Sequence, residues 1–409
     1  MPCPRGTGRS LLDAYRLIPS LRPDWEFVLY HQRAAAQATT ERDNSPDANL
    51  AGVASALLAR PNVRARCIDI PGDRFDLWFQ VRLPTAAWRD RIDLLHLPAN
   101  VAPVWCPVPF VVTVHDLIPL TVPGEQPERS RRAFERGVAR AVRSAAHIIS
   151  PSKATRDELH RIFDVTPERI TVIPWAPDQG ITRAHGGRAS AESPGTAARA
   201  EIERVRIRHG LNGAWLLNFS GSSPRKNAAG LMDAFARLSP DARRGVQLVL
   251  VGCEPASVRA ALEARSQRLG VRASCRFLGF VPHEDLPGLL CGARGLLMPS
   301  LCEGFGAPIL DAFACGAPVL TSKLSSMPEV AGDAAVYCDP HSAASIAEGI
   351  IQLLDQTIAQ RLKRAGVERL RSFSWERTVR LMCEVYERCV SKPLRCETGR
   401  ALSAPEATG

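Results

Sequence analysis

Nowhere in the 409 residues is there an apolar run of the ~18–20 residues that a membrane-spanning helix needs. The nearest stretch, Cys106 to Leu120, is broken by Pro107, Pro109, His115, Asp116 and Pro119. Arg5, Arg9, Asp13 and Arg16 stand where a secretion signal would have its apolar segment, so a cytoplasmic protein is expected. The twelve cysteines include no CxxC pair and no metal-ligand spacing, and no metal site is expected. Cys253, Cys291 and Cys315 lie among small apolar residues and read as buried thiols. HExxH, a Walker loop and a Ser/His/Asp order are also missing, which leaves metalloprotease, NTPase and nucleophilic-hydrolase chemistry without support.

What remains is an ordinary globular composition, 45% hydrophobic and 23% charged, in a chain long enough for two domains. The net charge of +10 comes mostly from scattered arginines. They lack the interleaved aromatics of a nucleic-acid surface, and no nucleic-acid partner is expected. One concentration, Arg129, Arg131, Arg132, Arg136, Arg140 and Arg143, lies along a helical stretch. It reads either as a solvated helix face or as a face drawn to an anionic membrane or a phosphorylated lipid acceptor.

The two halves share one pattern: short β-branched apolar runs alternate with amphipathic stretches, as in a parallel sheet with crossover helices. In the first half, strands are expected at residues 26–30, 93–96, 110–114, 146–150 and 170–173. In the second they are expected at 215–220, 247–251, 275–278, 295–298, 318–322 and 335–337. Nine amphipathic helices are expected, the first at 11–19 before the first strand and the last at 375–390. Ala184 to Ala200 reads as an exposed linker and the tail after Pro393 as disordered. The expected divisions are residues 1–175, residues 205–374, and a final helix over 375–391.

Three segments carry chemistry. Ser220-Gly221-Ser222-Ser223-Pro224-Arg225-Lys226-Asn227 follows a strand and precedes a helix. Gly221 permits close backbone approach, and Arg225 with Lys226 suits a diphosphate, although a basic turn capped by Asn227 reads equally well. The stretch from Pro299 to Asp311 places Glu303, Gly304, Phe305 and Gly306 before a helix that Pro308 starts. Its N-terminus would offer free N–H groups to phosphate or sugar, and carboxylates such as Glu303 and Asp311 suit hydroxyls. In the first half, His115-Asp116 ends an apolar strand and could exchange hydrogen bonds with a substrate hydroxyl.

With these residues assembled, the chain resembles the family 4 glycosyltransferases, which have the GT-B fold, and in particular a bacterial subgroup often called mannosyltransferases. The likeness runs from Gly6 to about Val390. It is carried by Phe219-Ser220-Gly221 with Pro224-Arg225-Lys226-Asn227, by Phe277-Leu278-Gly279-Phe280, by Pro299-Ser300 with Glu303-Gly304-Phe305-Gly306, and by Gly316-Ala317-Pro318-Val319. His115-Asp116-Leu117-Ile118-Pro119 and Phe373-Ser374-Trp375 add to it.

The resemblance implies an α/β protein of two Rossmann-like domains with a cleft between them and a final helix crossing back to the first. It implies retaining transfer of a hexose, mannose favoured, to a polysaccharide or lipid-linked acceptor. The co-substrate would be a nucleotide-diphosphate sugar, GDP-mannose favoured, with no metal and no resident cofactor. Arg225 and Lys226 would grip the diphosphate, and Glu303 would meet the sugar hydroxyls beside the amides of Phe305 and Gly306. Asp311 would hold the ribose, Gly279-Phe280-Val281 would line the base, and His115 would touch the sugar from the other domain. Gly6-Thr7-Gly8 would cover the diphosphate. The expected location is cytoplasmic, extending to the inner face of a membrane.

Two departures qualify this. The family has glutamate where Asp311 stands, so the ribose contact is expected to be longer or water-bridged. The five residues before Gly6 cannot supply the family's first strand, so the first domain is expected to lack it. Two alternatives follow: a sugar-nucleotide epimerase of related fold, and a catalytically impaired donor-binding protein.

Overall fold

The computed structural model describes residues 7–31, 57–68, 77–184 and 195–391. Helix α1 (Thr7–Leu21) precedes β1 (Phe27–His31), which pairs in parallel with β2 (Val63–Cys67). Then come α2 (Leu83–Arg89), β3 (Leu95–Leu97), β4 (Phe110–Thr113), α3 (Glu128–Ser144), β5 (His147–Ser150), α4 (Lys153–Phe163) and β6 (Ile170–Val172). Strands β3 to β6 form a parallel sheet in that order. Among the described residues it shares no ladder with β1 and β2.

The second half starts with α5 (Thr196–His209), β7 (Ala214–Phe219), α6 (Ala228–Arg237), β8 (Val246–Val251), α7 (Ala256–Arg268) and β9 (Cys275–Leu278). It continues with α8 (Leu286–Gly292), β10 (Gly295–Met298), α9 (Ala307–Ala314), β11 (Val319–Ser322), α10 (Met327–Ala331) and β12 (Ala335–Cys338). Helices α11 (Ala343–Leu354) and α12 (Gln356–Leu370) close it. Its six strands make one parallel sheet in the order β12-β11-β10-β7-β8-β9. The direction of winding reverses between β7 and β10. That reversal opens a crevice beyond the carboxyl ends of those two strands, where open α/β sheets take ligands.

Strands β4 and β10 are buried along their whole length, because helices cover both faces of each sheet. Helix α13 (Trp375–Ser391) leaves the second half and lies against α1. Thr378 Oγ1 donates to the Pro174 carbonyl at 2.7 Å and Trp375 Nε1 to that of Pro177 at 2.8 Å. Arg22 of the α1 end binds Glu387 of α13.

Several local expectations change. Helix α1 begins at Thr7, so Gly8 sits in its first turn rather than in a loop, and Gly6 lies outside the described residues. Strand β2 was not expected: only Val63 of its five residues is buried, so no apolar run marks it. Helix α5 takes Thr196 to Ala200 from the expected linker, while residues 185–194 and the tail after Pro393 lie outside the described residues. Helices α2, α10 and α12 were also not expected.

Candidate active site

The two loops at the crevice are stitched to each other. Asn227 stands at the start of α6 with φ +59°, and its side chain does not cap that helix, which removes the alternative reading of this turn as a simple cap. Its Nδ2 instead donates to the carbonyls of Pro299 (3.1 Å) and Pro340 (2.7 Å). The Leu301 amide donates to the Arg225 carbonyl at 2.8 Å. Gly221 has φ +56° and lies 3.2 Å from where a Cβ on Gly252 would sit, so both turns run backbone against backbone.

This arrangement brings Arg225, Lys226 and Glu303 together. Arg225 Nη1 donates to Glu303 Oε2 at 2.7 Å and to the Cys302 carbonyl at 2.8 Å. Lys226 Nζ donates to Glu303 Oε1 at 2.6 Å. Glu303 is only 7% exposed. Burial pushes its carboxyl up, but Lys226 and Arg225 outweigh burial and hold it below its usual range. Burial likewise works against the Arg225 charge, and Glu303, Glu125 and Asp116 more than restore it. The Glu303 carbonyl accepts from Ser325 Oγ (2.6 Å) and Ser326 Oγ (2.9 Å), which fixes the turn. Gly306, with φ +98°, then starts α9, so the helix N-terminus opens beside this cluster.

His115 and Asp116 meet that turn from the first half. A Cβ on Gly304 would lie 2.5 Å from the His115 carbonyl and 2.8 Å from the Asp116 Cβ, so only glycine fits. Ser152 Oγ donates to the Gly304 carbonyl at 2.6 Å, and Glu329 accepts from the Lys153 and Ala154 amides at the start of α4. His115 is buried against Trp175, which lies against Trp375. Its Nε2 lies 2.6 Å from the Pro98 carbonyl, which can only accept, so Nε2 carries the proton and Nδ1 a free lone pair. Burial lowers its pKa to about 4 against the opposing pull of that hydrogen bond, so the ring is neutral near pH 7. Burial raises the Asp116 carboxyl, and its Oδ1 accepts from the Ile118 amide at 3.1 Å.

Other expected residues are placed differently. Asp311 accepts from the Asp178 amide at 2.9 Å. It keeps a partly accessible edge, yet burial first and then the charges of Asp178 and Asp13 raise its pKa to about 8. Phe280 is 46% exposed, whereas Val281 is buried. The Phe305 ring packs against Phe373, leaving only its backbone for a ligand. Sequence reasoning missed Glu125, whose carboxylate takes Ser223 Oγ across the cleft, and the Asp178–His283 pair at 2.9 Å. Glu125 carries no local signal, since its partners are about a hundred residues away.

Two family models match. Glycosyltransferase Family 4 covers residues 28–178, and Glycosyl transferases group 1 covers residues 201–369. The chain is a family 4 glycosyltransferase. It is similar to the O-antigen chain mannosyltransferase B of Escherichia coli, with 29% identity over 91% of this chain and 93% of that protein. It is also similar to the serotype-specific mannosyltransferase WbdA of Escherichia coli, at 27% identity over 72% of this chain, but spans only 35% of WbdA. Among solved structures, Anabaena HepE in complex with UDP and glucose matches with a TM-score of 0.66 and 20% identity, covering 93% of this chain and 96% of HepE. WaaG, a glycosyltransferase involved in lipopolysaccharide biosynthesis, matches at 0.65 with 15% identity, covering 93% of this chain and 95% of WaaG. These place the glycosyltransferase in the GT-B fold. No described helix is long and apolar enough to cross a membrane.

Proposed function

We propose that this glycosyltransferase moves a hexose, mannose favoured, with retention of anomeric configuration. The donor in this reading is a nucleotide-diphosphate sugar, GDP-mannose favoured, and the acceptor is a polysaccharide or lipid-linked glycan. One observation carries the reading: Arg225, Lys226 and Glu303 converge at the winding reversal, beside the α9 N-terminus. Positive groups there would stabilise the charge that develops on a departing diphosphate, which is where an oxocarbenium-like transition state gains most. Neutral His115, with Nδ1 as an acceptor, suits a sugar hydroxyl. Closure of the two halves would exclude water from the donor. No metal or resident cofactor enters this reading.

A lipid-linked acceptor would bring the enzyme to the inner face of a membrane, and peripheral contact there belongs to the same reading. Arg129, Arg132, Arg136, Arg140 and Arg143 share the face of α3 opposite buried Val138, a charge pattern suited to anionic lipid. The test is turnover of a panel of sugar nucleotides with a glycan acceptor, followed by NMR of the new linkage. A retained configuration, made fastest from GDP-mannose, supports the reading; an inverted linkage contradicts it. Sugar-nucleotide conversion without acceptor would point to the epimerase alternative, and donor binding without any product to the impaired binder.

A further inference from the structure

Glu125 stands in the segment before α3 and reaches across the cleft into the cluster. Its side chain is 15% exposed. Both its oxygens accept from Ser223 Oγ, at 2.6 and 2.8 Å, and Oε1 lies 3.5 Å from Arg225 Nε. That distance is too long for a hydrogen bond, and Arg225 Nε is buried with no partner. A buried guanidinium N–H left unmade is costly, and the group that would satisfy it is an anionic oxygen slightly nearer than Glu125 comes.

We propose that Glu125 stands where a donor phosphate would meet Ser223 and Arg225, and thereby sets donor affinity. This rests on the reading of Arg225 and Lys226 as diphosphate-binding. The charges make the exclusion mutual. Among the described residues, Arg225 feels the charges of Glu303, Glu125 and Asp116, and Lys226 binds Glu303 beside it. Adding a diphosphate with Glu125 in place would crowd like charges in a poorly solvated cleft. When Glu125 withdraws, Ser223 Oγ and Arg225 Nε are both free to donate to phosphate oxygens. Glu125 belongs to the first half and Ser223 to the second, so donor arrival also releases one tie between the halves. Glu125 is thus a positioning residue whose contact competes with substrate.

The test is calorimetric titration of GDP and UDP into the full chain as wild type, E125Q, E125A, E125D and R225A. The proposal expects E125Q and E125A to bind the accepted nucleoside diphosphate about tenfold more tightly than wild type. E125D should return towards wild type, and the salt dependence of binding should shift in E125Q. A merely structural Glu125 would weaken binding or leave it unchanged, and either result in E125Q overturns the proposal. If R225A loses binding while E125Q binds like wild type, the Glu125 proposal falls and the donor-site reading stands. If no variant binds either nucleotide, the donor-site reading falls with it.

Discussion

In the second half six strands join edge to edge, whereas the described strands of the first half divide into a pair and a sheet of four. The second half therefore aligns its two ligand loops through one continuous ladder from β7 to β10. The first half relies on helices instead. On β3, His96 Nδ1 is hydrogen-bonded to the hydroxyls of Tyr15 on α1 (2.9 Å) and Tyr386 on α13 (2.7 Å), and Nε2 to Thr113 Oγ1 (2.8 Å). Burial, with His115 nearby, lowers the His96 pKa to about 3 and keeps it neutral. The comparison teaches that the donor loops are set by one sheet, while the opposing wall is held in part by a helix from the far end of the chain.

The largest expected effect falls on the donor loops. Arg225→Ala should reduce kcat/KM by about 10²–10³-fold, in line with loss of one charge-stabilising donor, as steady-state kinetics would read. Next is the seam between the halves. Gly304→Ala puts a Cβ into the His115 carbonyl, so turnover should fall about 10²-fold while donor binding stays near wild type. Loss of both together would mean that Gly304 serves the donor loop alone.

His96→Leu should cost about 2–4 kcal/mol, since buried hydroxyls of Tyr15, Tyr386 and Thr113 lose their partner. Urea unfolding monitored at both halves should show the first half melting earlier; a single coincident transition at the wild-type midpoint would erase the contrast drawn above. The last effect is confined to raised pH and concerns Asp311. Its folded pKa of about 8 exceeds the usual value of 3.8, so the folded state holds a proton that the unfolded chain has released. That contribution to stability is complete below pH 4 and is lost as pH rises through 8. Asp311→Asn should leave the melting temperature unchanged at pH 4 and raise it at pH 8.

Much of this was legible in the sequence, and the failures share a cause. Continuous apolar runs such as Phe110–Thr113 and Gly295–Met298 announce buried parallel strands, and the Gly-rich turns after β7 and β10 announce a ligand crevice. Strand β2 escapes because Arg64 and Arg66 alternate with small residues at an exposed edge. Helix α5 escapes because its helical residues begin inside a Gly-, Ala- and Ser-rich segment. Placing Arg225, Lys226 and Glu303 in one site took the family resemblance as well as the strand–loop–helix setting. The capture of Asp311 by the Asp178 amide was not anticipated, because that contact joins segments 133 residues apart. The alternative reading of Asn227 as a cap rested on local position alone, and tertiary carbonyls claimed its amide instead.

The central claim is that the second half holds the donor through Arg225, Lys226 and Glu303. Titration of sugar nucleotides into wild type and Arg225→Ala at matched salt tests it most directly. The account predicts saturable binding of one sugar nucleotide by wild type, with affinity at least about tenfold weaker in Arg225→Ala. Equal binding by the two proteins would contradict it.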